Sequence, residues 1–572
     1  MKKQLMQWIG WKVLAAVLLV ATSFITWRLD LTAEKRYTIS EPSKNLLRNL
    51  KEPVEVTVLL NGDDLPAGFR KLSNAVNDFL ADSRGISNGK LQYRFVEPDA
   101  FIEDSLRYPI EDSFKIAWLK SSAVKQNEVT KSGTSAVFNY PIALIKSGEN
   151  YATVNFLEGQ GNKGFLNPEA NGLQFETINN AEAQMEYNFV SAIQQLANPY
   201  VPTVAYATGN DEPMGPETFD LSQTLQSKYR FFLLNLQQQT FISDSIKVLL
   251  IAKPKAPFSD ADKLKIDQYV MRGGKVLFMI DALNADMDSL VRSGKEFTAY
   301  ARDLRIDDLI FKYGARINGD LVQDMQSDVL PQSVGMVGNQ PQIEILPWPY
   351  FPLLYSQSNH PVAKNLDAVV MQFPNSVDTV KAEGIRKSIL LSSSNTSRKI
   401  GAPVIVTVEI LKQVENASAF KESNIPLAVL LEGKFKSLFA NRLSGEIVDS
   451  LAAMGRPYLA QGNQDGQVLV TGDGDWVLNG FNREGPLPMG TNPYTQYNFA
   501  NKNFLLNAID YMTDESGVMA ARSKEFTLRV LDPKRLEKEK TMWQWINIGL
   551  PLLLLLLAGA TFARLRRKKY AA

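Results

Sequence analysis

Twenty-three consecutive residues without a charge, Thr541–Ala563 (TMWQWINIGLPLLLLLLAGATFA), are followed at once by RLRRKKY. The run exceeds the roughly 20 apolar residues that a helix needs to cross a bilayer. A core helix of a soluble protein does not carry such a basic stop. Pro551 inside the run is tolerated in membrane helices and can kink one. One end of the chain is therefore expected in lipid, and the rest of the fold must be compatible with a tether there.

The other end repeats the pattern more weakly. Val13–Trp27 is uncharged, flanked by Lys2, Lys3 and Lys12 before it and Arg28 after it, and bracketed by Trp8, Trp11 and Trp27. Fifteen residues are short for a span, but snorkelling of Lys12 extends them to about 20. A cleaved signal peptide is the rival reading, and no A-x-A site follows the run. The expectation is an uncleaved transmembrane anchor at 13–28 behind a short N-terminus at 1–12. Basic residues outside both apolar ends place both termini in the cytoplasm. In a bacterium, the body between them is then periplasmic and the membrane is the inner one.

Four of the 62 basic residues lie up to Arg28 and five after Ala563, which leaves 53 in the body against 61 acids. A body with that acidic excess and no basic patch is not a nucleic-acid binder. The chain has no cysteine and one histidine. Thiol catalysis, disulfides and Cys-based zinc or iron–sulfur sites are excluded together.

The body reads as α/β. A polar stretch after the anchor leads into a helix from Ser40. Strands are expected at 54–60 and 91–98, with a helix between them whose apolar residues Phe69, Leu72, Val76, Phe79 and Leu80 recur at helical spacing. A hairpin follows at 140–157, turning at Ser147-Gly148-Glu149-Asn150. This order is that of a thioredoxin-like layer, one that cannot be a redox enzyme without CxxC. The N-terminal α/β domain is drawn at 29–182.

A helix from 183 opens a second α/β domain, 183–520. Buried strands are expected at 201–209, 246–254 and 275–281. Between the last two, Ser259 and Asp262 stand at capping-box-like spacing and Gly273-Gly274 stops the helix. Strand–helix–strand with short links predicts a doubly wound parallel sheet. Residues 290–465 are less regular and read as a long insertion, with an aromatic loop ILPWPYFPLL (345–354) and a Ser/Asn-rich loop LSSSNTSRKI. Strands return at PVIVTVEIL, PLAVLLEG and GQVLVTGDGDW, followed by a helix at 501–512. A charged stalk at 521–541 leads to the C-terminal transmembrane helix, 542–563, and a basic cytoplasmic tail, 564–572.

Candidate sites are few. There is no G-x-x-x-x-G-K-[ST] for a nucleotide, no G-x-S-x-G elbow and no H-E-x-x-H. His360, before Pro361, reads as structural. The acids Asp473 and Asp475 in TGDGDW end a buried strand, the edge at which ligands bind in such sheets. Three readings stay open for them: a turn whose carboxylates bond its own backbone, a cation site, or a catalytic pair. The loop GNDEP (209–213) closes another strand in the same way, and its acids would repel a phosphate. No cofactor, metal site or catalytic residue is assigned, and no enzymatic activity is expected.

Taken in order, DLTAEKRYTIS, EYNFVSAIQQL, VLLIAKPKAPFSDADKLKIDQYVMRGGKVLFMID, ILPWPYFPLL, HPVAKNL, PLAVLLEGKFKSLF, VTGDGDW, NKNFLLNAIDYM and WINIGLPLLLLLL resemble the gliding-motility-associated ABC transporter auxiliary proteins of the GldG type. The resemblance implies an accessory, substrate-binding-like subunit beside a separate permease and P-loop ATPase in gliding bacteria. It also implies a glutamine-amidotransferase-like fold for the middle domain, without the nucleophilic cysteine. GNDEP departs from the GHGE-like form expected at its position. The alternatives are a periplasmic ligand-binding protein or hydrolase using the Asp473/Asp475 edge, and a mechanical scaffold of the motility apparatus.

Overall fold

The computed structural model describes residues 38–62, 65–103, 119, 123–130, 133–157, 171–197, 200–294, 296–337, 340–407, 419–523 and 533–570. The expected N-terminal anchor, 13–28, lies outside the described residues. The chain divides into two units, one up to Glu525 and one from Phe526.

In the first unit, α1 (Glu41–Arg48) starts at Ser40, whose hydroxyl accepts from the Ser43 N–H. Strands β1 (Val54–Val58) and β2 (Leu91–Phe95) pair in parallel around the crossover helix α2 (Ala67–Ile86). Strands β3 (Ile142–Ser147) and β4 (Asn150–Asn155) form the expected hairpin, and β3 adds antiparallel to β1, giving the order β2-β1-β3-β4. Gly148 takes φ +60 in the turn, a value that only glycine adopts freely. The helical stripe of α2 is buried: Phe69, Leu72, Val76 and Leu80 pack on this sheet. Residues 124–130 and 133–139 form a further hairpin that has no counterpart among the expected elements.

Helix α3 (Asn171–Ala197) begins twelve residues before the expected start at 183. Its Ile178, Met185, Phe189 and Ile193 complete the N-terminal core. Its other face reaches the rest of the unit, where the Tyr187 hydroxyl donates to Asp510 (3.1 Å). Asp510 also receives Lys228 at 2.5 Å and the Tyr229 hydroxyl at 2.7 Å.

The larger sheet has seven strands: β5 (Thr203–Thr208), β6 (Arg230–Asn235), β7 (Val248–Ala252), β8 (Lys275–Met279), β9 (Ile385–Ser392), β10 (Pro426–Gly433) and β11 (Gly466–Thr471). Their order is β6-β5-β7-β8-β11-β10-β9. The first five run parallel, while β10 is antiparallel to both of its neighbours, so the sheet is mixed rather than wholly parallel. Alternate residues serve two cores. Tyr206, Leu250 and Leu469 face α4 (Phe219–Lys228) and α6 (Asn501–Thr513). Ala205, Ile251 and Val470 face α5 (Asp260–Met271). Buried on both sides, these strands read as continuous apolar runs. Ser259 caps α5 as its spacing predicted, accepting from the Asp262 N–H at 3.1 Å.

The expected aromatic loop at 345–354 is instead part of a 15-residue strand, Gln340–Leu354, paired antiparallel with Ser327–Val337. The register explains the prolines. Val329 faces Pro347 and Ser327 faces Pro352, so Trp348–Phe351 have no partner on that strand. Prolines are tolerated at such interruptions. Trp348, Tyr350 and Phe351 drop into a core with Phe373. The Ser/Asn-rich loop is likewise shorter than expected, because Ser397–Gly401 is a strand.

The second unit contains α7 (Pro533–Tyr570), a continuous 38-residue helix with Pro551 inside it. Part of the expected stalk and most of the basic tail are thus helical. Among the described residues it is the one helix long and apolar enough to cross a membrane, over Glu539–Lys568. Its apolar surface is exposed all round, with Leu555 and Leu556 at 70% and 72%. A helix whose apolar surface is exposed on every side needs lipid or partner helices.

Candidate functional site

Three parallel strands end in charge. Lys253 is the first residue after β7, Asp281 the second after β8, and Asp473 and Asp475 follow β11. Adjacency of β7, β8 and β11 brings them together at the carboxyl edge of the sheet, where open α/β sheets bind ligands. The carboxylates of Asp281, Asp473 and Asp475 offer oxygens that all lie within 4.8 Å of one another.

A cation already sits among them. The Lys253 ammonium makes a very short contact to Asp475 and lies 3.6 Å from the Asp281 carboxylate. Lys253 and Asp281 are buried, and Asp473 is completely so. Two of the three acids are also tied to the backbone. Asp281 accepts from the Gly474 N–H at 2.6 Å, and Asp473 accepts from Gln372 (2.7 Å) and from Asp475 (2.6 Å). The second oxygen of Asp281 has no hydrogen-bond donor.

The two glycines of TGDGDW permit this closeness. A Cβ on Gly474 would lie 2.6–2.9 Å from Lys253, including its backbone, and one on Gly472 would fall inside the Asn375 carbonyl. Lys253 itself takes φ +46, a costly conformation for a side-chain-bearing residue. The turn is completed by Trp476, which is buried against Phe504 and donates to the Thr471 hydroxyl at 3.1 Å.

The electrostatics follow from burial. Burial alone would lower Lys253, but the charges of Asp475 and Asp281 outweigh it and hold the lysine above its ordinary value. Burial raises Asp281 to about 6 against the pull of Lys253. Burial, then Asp475 and Asp281, push Asp473 well above the carboxylate range. A divalent ion would have to displace the ammonium and gather about six oxygens. Both Asp473 oxygens already accept backbone N–H groups, so the set fits an internal cation better than a metal.

Sequence reasoning placed Asp473 and Asp475 at a strand end, and both lie there. It missed Lys253 and Asp281, which it read as residues at the ends of strands. The available signal was a charged residue closing each apolar run, in LLIAK and VLFMID. His360 is elsewhere: its ring lies edge-on to Tyr511 at 4.6 Å and its Nδ1 accepts from the Val362 N–H. Burial lowers its pKa.

GNDEP ties β5 to the chain after Lys253, since the Asn210 carbonyl accepts from the N–H groups of Lys255 and Ala256. Glu212 is buried, with one oxygen bonded to the Asn210 N–H (2.8 Å) and the other unpartnered. Burial, with Asp211 adding to it, raises Glu212 to about 7 against several backbone N–H groups. An unfolded glutamate titrates near 4.3. The stability linked to this group is therefore full below about pH 4.3 and is lost as pH rises to about 7. Glu212→Gln keeps the acceptor and removes the titration. It is expected to exceed the parent in stability at pH 8 by up to about 3 kcal/mol and to match it near pH 4, as urea unfolding at both pH values would measure.

The relatives matched are distant. An uncharacterized protein of Borreliella burgdorferi is 20% identical over 474 residues, 80% of each chain. Among solved structures, the mmIFT52 N-terminal domain is 15% identical, with a TM-score of 0.28, covering 55% of this chain and 98% of that one. A ThuA-like protein of Parabacteroides merdae is 12% identical, with a TM-score of 0.25, covering 55% and 90%. Scores this low fall short of a shared fold. Residues 33–145 match a domain of unknown function. Residues 201–508, more than half of the chain and the whole span that builds the seven-stranded sheet and its charged edge, match the profile of an ABC-type uncharacterized transport system, and the chain belongs to that family.

Proposed function

We propose that the protein is a non-enzymatic, membrane-anchored accessory subunit of an ABC transporter, associated with a separate permease and P-loop ATPase. Its body stands in the periplasm of a bacterium and its helix α7 crosses the inner membrane. The observation that carries the non-enzymatic reading is Lys253. At the edge where a related sheet would hold substrate or metal, this chain has filled the acidic cluster with its own ammonium. Family membership supplies the link to ABC transport, and the fully exposed apolar helix supports the membrane reading. The order of motifs across the chain further supports an association with gliding motility and its secretion machinery.

The test is a mild-detergent pull-down of the tagged full-length protein followed by mass spectrometry. A polytopic permease and a P-loop ATPase are expected, and they should be lost when Thr541–Ala563 is replaced by an unrelated apolar span. Recovery of neither, under conditions that preserve a known membrane complex, overturns the reading. The absence of cysteine makes topology easy to check alongside. In cells with a permeabilised outer membrane, an impermeant maleimide should label Glu484→Cys in an exposed loop and leave Arg567→Cys unlabelled.

A further inference from the structure

On the outer flank of α5 there is a cavity of about 150 Å³ that shares no residue with the charged edge. Its walls are apolar: Phe241, Ile242, Leu264, Tyr269, Leu451 and Met454. The last two come from the helix Gly445–Ala453 and its end, and that helix buries none of its residues. It overhangs α5 without closing on it, which leaves the space open. A volume of this size is what one benzene-sized ring fills.

The charged and amide side chains around the cavity are held by other partners, with one exception. Lys265 is held by Asp262 and by the Leu236 carbonyl. Gln268 bonds Leu459. Arg456 pairs with Asp244 at 2.7 Å and lies 4.2 Å over the Phe241 ring. Arg272, the residue just after α5, gives one N–H to the Pro457 carbonyl, and among the described residues no carboxylate pairs with it. Burial and then the neighbouring Arg456 lower its pKa, against a smaller opposing pull from Asp244. An arginine with free donors at the mouth of an apolar pocket matches a carboxylate in geometry and charge.

We propose that this cavity binds a small amphiphilic anion, one apolar ring or short chain bearing a carboxylate, with the apolar part between Leu264 and Leu451 and the carboxylate on Arg272. This site goes beyond the accessory role and does not depend on it. It is an intake for a ligand that the body senses or carries.

Benzoate is the probe, titrated calorimetrically into the full-length protein in nanodiscs, with empty nanodiscs as the blank. Benzoate is expected to bind at least tenfold more tightly than benzyl alcohol, which lacks the charge, and than acetate, which lacks the ring. Arg272→Gln should lose at least tenfold for benzoate and leave benzyl alcohol unchanged. Ala261→Trp, at an exposed lining position that can fill the cavity without disturbing the core, should abolish both and remains readable if Arg272→Gln fails to fold. Equal binding of benzoate and benzyl alcohol overturns the anion assignment. No binding of benzoate to the parent, or binding that survives Ala261→Trp, overturns the site.

Discussion

Replacing Lys253 by methionine is expected to destabilise the body by about 3–5 kcal/mol, the usual cost of removing one partner from a buried ionic group. Methionine keeps the length and packing of the stem and removes only the charge. The three carboxylates of Asp281, Asp473 and Asp475 are then left in a buried space with no cation. They can find relief in two ways, and both are measurable. Protonation is one: with Asp281 and Asp473, already raised, pushed up further, stability recovers as pH falls and is lost as pH rises through their folded values. The other is a divalent ion, so excess Mg²⁺ or Ca²⁺ should raise the melting temperature of Lys253→Met and leave the parent unmoved. Adding Asp281→Asn removes one repelling charge, and the double variant should be less destabilised than the two single changes summed. Denaturant unfolding of Lys253→Met with parental stability would show that the ammonium holds nothing together.

Gly472→Ala is expected to cost roughly 3 kcal/mol or more, at the upper end for overpacking. The new methyl would occupy the Asn375 carbonyl. Asn375 cannot step aside cheaply. Its N–H bonds the Gly472 carbonyl at 2.6 Å, its side-chain oxygen accepts from Ala282 at 2.7 Å, and its side-chain nitrogen donates to the Asp320 carbonyl at 2.5 Å. Gly480→Ala is the control, because a Cβ there meets its nearest atom at 3.9 Å. Thermal unfolding of the two alanine variants should separate them by roughly 3 °C, the shift expected for that energy in a body of this size. Equal melting temperatures would mean that the turn after β11 is looser than its hydrogen bonds indicate.

Much of the sheet could be read from local pattern. VLLIA, KVLFM and GQVLVT are apolar runs of strand length ended by polar or glycine residues, and each is a central strand. Ser259 and the SGEN turn were legible because caps and tight turns act over three or four residues. The candidate site was half legible for the opposite reason. Asp473 and Asp475 announce themselves through spacing, but Lys253 meets Asp475 across 222 residues of chain. The backbone N–H that fixes Asp473 comes from Gln372, 101 residues away. No local window contains such pairs. The 345–354 segment failed differently: its prolines argued against a strand, and only the register against Ser327–Val337 shows the interruption that accommodates them. The cavity beside Arg272 had no local signal at all, because it exists only where the helix Gly445–Ala453 does not close on α5.

The place of β11 bears on how the chain reaches this structure. It lies against β8 residue for residue, from Lys275↔Gln467 to Met279↔Thr471, yet about 190 residues separate the two strands. Synthesis at roughly 5–20 residues per second leaves the β8 edge without its partner for about 10–40 s. During that time VLFM is an unpaired apolar edge, the kind that recruits strands from other chains. Long-range parallel pairing is also intrinsically slow. The charged cluster cannot assemble before β11 docks, because two of its four groups arrive with that strand. Closing of the sheet and burial of Lys253 are thus one late event, and the nascent protein is most exposed to misassociation just before it.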